Sequence, residues 1–421
     1  VNRLEDLPRI MRRAAKIALS PPTGPVFISL PGDILNKEAK IDLGKSTRVI
    51  DTYRPSDNSI ELIAKKLSKY KKPVIIAGHE VATSDAFREI TMFAEYTGSA
   101  VYQQTVPHGS HYPSEHMAFM GTLPRLQKPT KNILENYDLL ICLGCDGLRM
   151  SVWSDTEPLP SKMPIIHIGI NEWEIGKNYS TELAIIGNVK NTLNDINQYL
   201  KNTLTPEETI KAKKRLELIA KNNWNIKKKS LTAKTMHDKL KKPITPNWLM
   251  MNIANNITKN NIVVEEGLVS TRTLLNYLPY KNNRDFYGLA SGGIGWAVSG
   301  AIGVSLANPS KTIVAIIGDG SSMYGIQSLW SAAHYKLPIV YIIANNQSYR
   351  IIKERLEAFH KNTNFVGMDF NKPKIDFVKL SNSLGIKSET INNPKNLNSI
   401  FKKAFKYKKP YLINVMVDKG Y

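Results

Sequence analysis

Apolar residues recur along this chain in two registers. Short unbroken runs stand at 73–78 (PVIIAG), 164–170 (PIIHIGI), 312–317 (TIVAII) and 338–344 (PIVYIIA). Between them lie stretches in which apolar positions return every three or four residues, such as SIELIAKKLSKY and SDAFREITMFAEYTG. The first pattern predicts strands buried on both faces and the second predicts amphipathic helices packed over them. Strands alternating with helices make an α/β protein with doubly wound parallel sheets.

The pattern repeats in two blocks. Residues 55–200 form one α/β unit, with further strands at AVYQQ and within ILENYDLLICLG. Residues 201–245 are Lys-rich and helical in pattern, with few large apolar residues, and read as a helical connector. Residues 246–421 form a second unit, from the strand NIVVEEG through the Gly-rich LASGGIGWAVSGAIGVSLA to the terminal strand PYLINVMV. Ahead of both, residues 1–45 offer one helix (LEDLPRIMRRAAKIAL), one apolar strand (PVFISL) and the turn PGDIL. One helix and one strand cannot bury a core, so this segment is expected to be the end of a domain that starts upstream.

Charge narrows the picture little. The formal net charge is +21, but the lysines are spread over KKLSKYKKP, KKKSLTAK and FKKAFKYKKP rather than gathered on one element, so a nucleic-acid partner is not expected. No apolar run is long enough to span a bilayer and the first residues lack the build of a signal peptide, so the expectation is a cytoplasmic protein with no membrane contact. Cys142 and Cys145 sit at the end of a strand with no second pair to complete a zinc site, and are read as core residues. His108, His111 and His116 are read as turn and surface residues, with His108 or His111 bordering an active site as the alternative.

The chemistry concentrates at two strand ends. The strand 312–317 runs into Gly318-Asp319-Gly320-Ser321, and a helix expected just after Ser321 would turn its free N–H groups toward an anion. The next strand delivers Asn345-Asn346-Gln347-Ser348-Tyr349 to the same end of the sheet, because the crossover is right-handed. Asp319, the Asn346 side-chain carbonyl and the Ser348 main-chain carbonyl then supply hard oxygens for Mg²⁺, beside space for a diphosphate.

Strand, GDGS, one crossover helix, strand and NN together resemble the thiamine-diphosphate (ThDP) enzymes of the benzoylformate decarboxylase and acetolactate synthase kind, over essentially the whole chain. The resemblance implies that 1–45 is the tail of a pyrimidine-binding domain, 55–200 the central domain and 246–421 the diphosphate-binding domain. It implies Mg²⁺ ligands at Asp319, Asn346 and Ser348. Gly318, Gly320, Ser321, Gly293 and Tyr349 would lie near the cofactor, the Gly292 carbonyl would accept from the aminopyrimidine, and Ile294 would hold the two rings in their bent form. The implied reaction is addition of the thiazolium carbanion to a small 2-oxo acid with loss of CO₂, ending in an aldehyde or a carboligation product, in a homodimer or homotetramer with sites between subunits.

The resemblance has gaps. The glutamate that activates the cofactor in such enzymes is not found and is expected upstream of Val1, so this chain by itself should turn over little; a non-catalytic cofactor-binding or regulatory module is the alternative reading. Glu265 and Glu266 are not that glutamate and are expected to line the diphosphate side or cap a loop. Ser151 stands where benzoylformate decarboxylase offers a histidine. The segment that accompanies FAD in acetolactate synthases is missing, and Gly169 and Asn171 replace the usual acidic pair, so FAD is not expected. Arg350, Lys353 and Arg355 either meet a substrate carboxylate or form a solvated helix face.

Overall fold

The computed structural model describes residues 1–50, 52–150 and 154–420. Two six-stranded, wholly parallel sheets organise it. The first has the order β3-β2-β1-β4-β5-β6, from β1 (Pro73–Ala77), β2 (Ala100–Gln103), β3 (Phe119–Thr122), β4 (Leu139–Leu143), β5 (Ile165–Gly169) and β6 (Leu183–Ile186). The second has the order β11-β12-β10-β9-β7-β8, from β7 (Asn261–Glu266), β8 (Phe286–Gly288), β9 (Thr312–Gly318), β10 (Ile339–Asn345), β11 (Lys387–Ile391) and β12 (Tyr411–Met416).

Both sheets follow from the unbroken apolar runs. In β1, β4 and β5 every residue is buried, as expected where helices cover both faces of a parallel sheet. Helices Asp57–Leu67, Phe87–Thr97 and Val189–Thr203 cover one face of the first sheet. Helices Pro246–Asn256 and Leu397–Lys406 cover one face of the second, and Trp296–Ala307 and Ser328–His334 the other. Strand order reverses between β1 and β4 in the first sheet and between β7 and β9 in the second. The crevice outside the carboxyl ends at such a reversal is where open α/β sheets bind ligands.

The stretch 201–245 does more than connect. Its helices Pro206–Ala220 and Trp224–Thr235 bury Leu216 and Trp224 in the core of the first sheet. The Trp224 indole N–H donates to the Leu275 carbonyl at 2.9 Å, tying this core to the second.

Two local expectations fail. PVFISL forms no strand: among the described residues no strand lies beside residues 25–30, and Phe27 is 92% exposed. PGDIL holds a one-turn helix, Gly32–Leu35. Among the described residues no helix is long and apolar enough to cross a membrane.

Candidate active site

The carboxyl ends of β7, β9 and β10 converge at the reversal in the second sheet. Asp319 follows β9 directly and is only 3% exposed. One carboxylate oxygen accepts from the Gly320 N–H at 2.9 Å and the other from the Gln347 N–H at 2.5 Å, so the aspartate clasps the loop after β10. Gln347 takes φ 59°, which folds that loop back. Asn346 is buried there; its Oδ1 accepts from the Ser348 N–H at 2.9 Å, and its amide donates to Ser270 Oγ at 3.3 Å.

No cationic side chain pairs with Asp319 among the described residues. Burial therefore pushes its carboxyl up to about 6, and the N–H donors of Gly320, Gln347 and Ser348 only pull it part of the way back. A desolvated carboxylate beside an amide oxygen and a main-chain carbonyl is a donor set that fits a hard divalent cation.

Gly320 is needed for space. A Cβ there would come 2.7 Å from Tyr349 Cε1, so the glycine lets the Tyr349 ring close over the loop. The ring is held edge-on to Phe370, centroids 4.6 Å apart. Ser321 is buried in the same turn. The helix expected after Ser321 is not there: Asp319–Ser322 is a single turn, and the longer helix starts at Ser328. Gly325 between them packs against the Gly295 carbonyl, where an added Cβ would come within 3.0 Å. This close approach breaks the helix, so N–H groups of one turn, not a long helix dipole, face the site.

The Gly-rich loop is drawn in by β7. Glu266, 1% exposed, accepts from the N–H groups of Gly295 and Ala297, both at 2.6 Å. It thereby caps the Trp296–Ala307 helix, and burial pushes its carboxyl up. Gly295 has φ 89°, and a Cβ there would meet Tyr324 Cβ at 2.6 Å. Gly292 has φ 94° with open space around it, and Gly293 and Ile294 are exposed on the same loop, Ile294 to 43%. Glu265, half-buried, accepts from the Gly267 N–H at 2.7 Å and from the Thr271 hydroxyl. Both glutamates thus act as loop caps, one of the two roles the sequence suggested.

The remaining candidates separate. On the helix after Tyr349, Arg350 pairs with Glu354 (3.1 Å) and Lys353 with Asp369 (2.7 Å), so two of three cations are already neutralised. His111 is completely buried rather than a surface residue. His108 lies between His79 and His111, tilted to the first and edge-on to the second, with centroids 5.2 and 5.6 Å away, and His116 instead meets the Tyr112 hydroxyl (2.7 Å) and Glu95 (3.2 Å). Burial pushes His79, His108 and His111 below the ordinary histidine range. This group lies in the first sheet's crevice, beside the contact of Gly109 with Tyr287 of β8. Cys142 and Cys145 are buried and free. Ser151 falls outside the described residues. Residues that sequence reasoning missed are Glu80, whose carboxylate accepts from the Ile170 N–H at 2.8 Å in the first crevice, and the arginines Arg125 and Arg149. All three follow strand ends of the first sheet, the one signal that pointed to them.

A doubly wound α/β chain with a buried carboxylate and a Gly-rich loop at one sheet reversal defines a class of proteins that bind ligands at the carboxyl ends of their strands. Within that class the comparisons are specific. Residues 60–196 match the family described as "Thiamine pyrophosphate enzyme, central domain" and residues 269–415 "Thiamine pyrophosphate enzyme, C-terminal TPP binding domain". The chain belongs to the thiamine pyrophosphate enzymes. It is 28% identical to the "Probable acetolactate synthase large subunit" of Methanococcus aeolicus, over 98% of this chain and 70% of that protein. It is 23% identical to the benzoylformate decarboxylase of Pseudomonas aeruginosa, over 98% and 74%. Its fold matches that of a thiamine diphosphate-dependent 4-hydroxybenzoylformate decarboxylase from Rhodococcus jostii, with TM-score 0.84, 24% identity, and coverage of 99% of this chain and 75% of that one.

Proposed function

We propose that this chain is the part of a 2-oxo acid decarboxylase or carboligase that holds thiamine diphosphate through Mg²⁺. The observation that carries the proposal is Asp319: a buried carboxylate with no cationic side chain beside it among the described residues, clasping the loop after β10 at the end of the strand next to β7, whose Glu266 holds the Gly-rich loop. Asp319, the Asn346 carbonyl and the Ser348 carbonyl would hold Mg²⁺, and the N–H groups of the Gly318–Ser321 turn would face the diphosphate. Tyr349 would close that side. The Gly292 carbonyl would accept from the aminopyrimidine, and Ile294, on a loop fixed by Glu266, would support the bend between the rings, with Gly293 giving the rings room.

Bound there, the cofactor supplies the electron sink that lets CO₂ leave a 2-oxo acid. The protein's share is to orient it, keep water off and govern where the next proton or carbonyl arrives. Two of the relatives that support this reading are named for acetolactate synthesis and benzoylformate decarboxylation. A second copy of the chain is the expected partner, because the Trp296–Ala307 helix is apolar all round yet buries only part of its surface.

Calorimetric titration of thiamine diphosphate into the chain, with and without Mg²⁺, tests the proposal. Saturable binding that needs Mg²⁺ and disappears in Asp319→Ala is expected. Binding indifferent to both would overturn the metal and cofactor assignment.

A further inference from the structure

Three arginines overlook the cofactor-facing end of the second sheet. Arg125 stands in the turn after β3, and Arg149 in the loop after β4. Arg149 Nη1 donates to the Ala290 carbonyl at 3.3 Å, one residue before the Gly-rich loop opens at Ser291, and its Nη2 pairs with Asp146. Arg355 lies on the Arg350–His360 helix, which leaves the Asn346–Ser348 loop through Tyr349. Segments from both sheets thus carry guanidinium groups toward one place. Arg149, Arg355 and the Glu265 carboxylate at the end of β7 all lie within electrostatic range of Arg125.

Charge there is unbalanced. Arg350 shares Glu354 with Arg272, whose contact is 2.9 Å, and Lys353 has Asp369. Arg125 and Arg355 have no carboxylate at salt-bridge distance among the described residues. Glu265 compensates little, since its Oε1 already accepts from Gly267 and Thr271 and burial pushes its carboxyl up. Like charges gathered from separate elements repel, and the arrangement gains most when a solute anion joins it. Arg125 and Arg355 are exposed, so a solute can reach them. Guanidinium forks match a carboxylate in two hydrogen bonds, which a lysine cluster would not do.

We propose that Arg125, Arg149 and Arg355 form a subsite for a second carboxylate, so that the preferred substrate is a 2-oxo diacid and not a 2-oxo acid with an apolar tail. This rests on the 2-oxo acid reading above and names the substrate class of the same site. Arg149 is held to Ala290 and sets the position of the cluster relative to the Gly-rich loop; Arg125 and Arg355 supply the unpaired charge.

The test compares 2-oxoglutarate with 2-oxovalerate, equal in length and different only in the terminal carboxylate, by calorimetry at low salt. Each is titrated into the whole chain alone and after saturation with thiamine diphosphate and Mg²⁺. The diacid is expected to bind at least tenfold more tightly. The gap should shrink to within about twofold in Arg125→Gln/Arg355→Gln and persist in Lys128→Gln, which removes a nearby exposed charge outside the cluster. Equal affinities for the two acids, or a preference that survives the double substitution, would overturn the subsite. A double variant that loses affinity for thiamine diphosphate instead would also overturn it, assigning the arginines to the diphosphate. If the chain takes up no cofactor, the reading above fails separately, while the two acids titrated alone still decide the subsite.

Discussion

Single buried groups set the chemistry of this molecule, and Glu80 and Asp319 show two uses of one effect. Both carboxyls are pushed up by burial, Glu80 to about 7 and Asp319 to about 6. For Glu80 the folded state holds a proton that the unfolded chain, near 4.5, has already released. Its stabilising contribution is therefore complete below pH 4.5 and lost as pH rises through about 7. Glu80→Gln keeps an acceptor for the Ile170 N–H without the charge. It should stabilise the protein at pH 8 by roughly 1–3 kcal/mol, with the advantage fading by pH 4.5; urea midpoints across that range check this. Gly320→Ala places a methyl against the Tyr349 ring, costing on the order of 1–3 kcal/mol and weakening thiamine diphosphate binding, seen by thermal shift with and without cofactor. The candidate metal ligands were legible in the sequence because each sits within a few residues of an apolar strand end. The Glu266 contact to Gly295 was not, because 29 residues separate the partners and only the crossover brings them together. His111 misled because its loop reads as polar turn, whereas the loop folds back on the ends of β1 and β2, where the His111 N–H donates to Gln103 Oε1 and its ring meets His108.

At the scale of elements, strands covered on both faces were readable and edge strands were not. β1, β4, β5, β9 and β10 are unbroken apolar runs, whereas β3 (FMGT), β6 (LAII), β8 (FYG) and β11 (KSETI) are short or mixed edge or near-edge strands recruited by their neighbours. PVFISL shows the converse, a strand-like run with no strand beside it to pair with among the described residues. The helix expected after Ser321 was lost to the approach of Gly325 and Gly295, which no local pattern encodes. Element stability has its own test in the Trp296–Ala307 helix, whose first N–H groups are satisfied by Glu266 alone among side chains described at that end. Glu266→Ala leaves the Gly295 and Ala297 donors buried without acceptors. It should cost roughly 2–4 kcal/mol and raise hydrogen exchange at residues 292–298 well above that of β9. A loss spread evenly over the whole second sheet would argue against a local cap.

For the molecule as a whole, the question is what covers the second face of the Trp296–Ala307 helix. It packs on Ser328–His334, and together they leave Leu306, Tyr324, Trp330 and Tyr335 each more than half exposed, with Trp330 stacked on His334 at 5.0 Å. Large apolar patches of this kind mark contact surfaces, and the patch borders the loop that carries Ile294. A self-complementary contact here would join two copies about a two-fold axis and set two candidate sites near one interface. The net charge of +21 per chain opposes that association. Two such chains repel over distances that salt screens, with a Debye length of about 10 Å at 0.1 M, while apolar burial is not weakened by salt. The dimer should therefore tighten as sodium chloride rises from 50 to about 300 mM, the reverse of an interface held by ion pairs. Trp330→Glu should leave a folded monomer at every salt concentration. Sedimentation velocity reads both effects. A monomer in the unaltered chain at high salt would overturn the dimer itself, and a dimer indifferent to Trp330→Glu would move the interface elsewhere on the molecule.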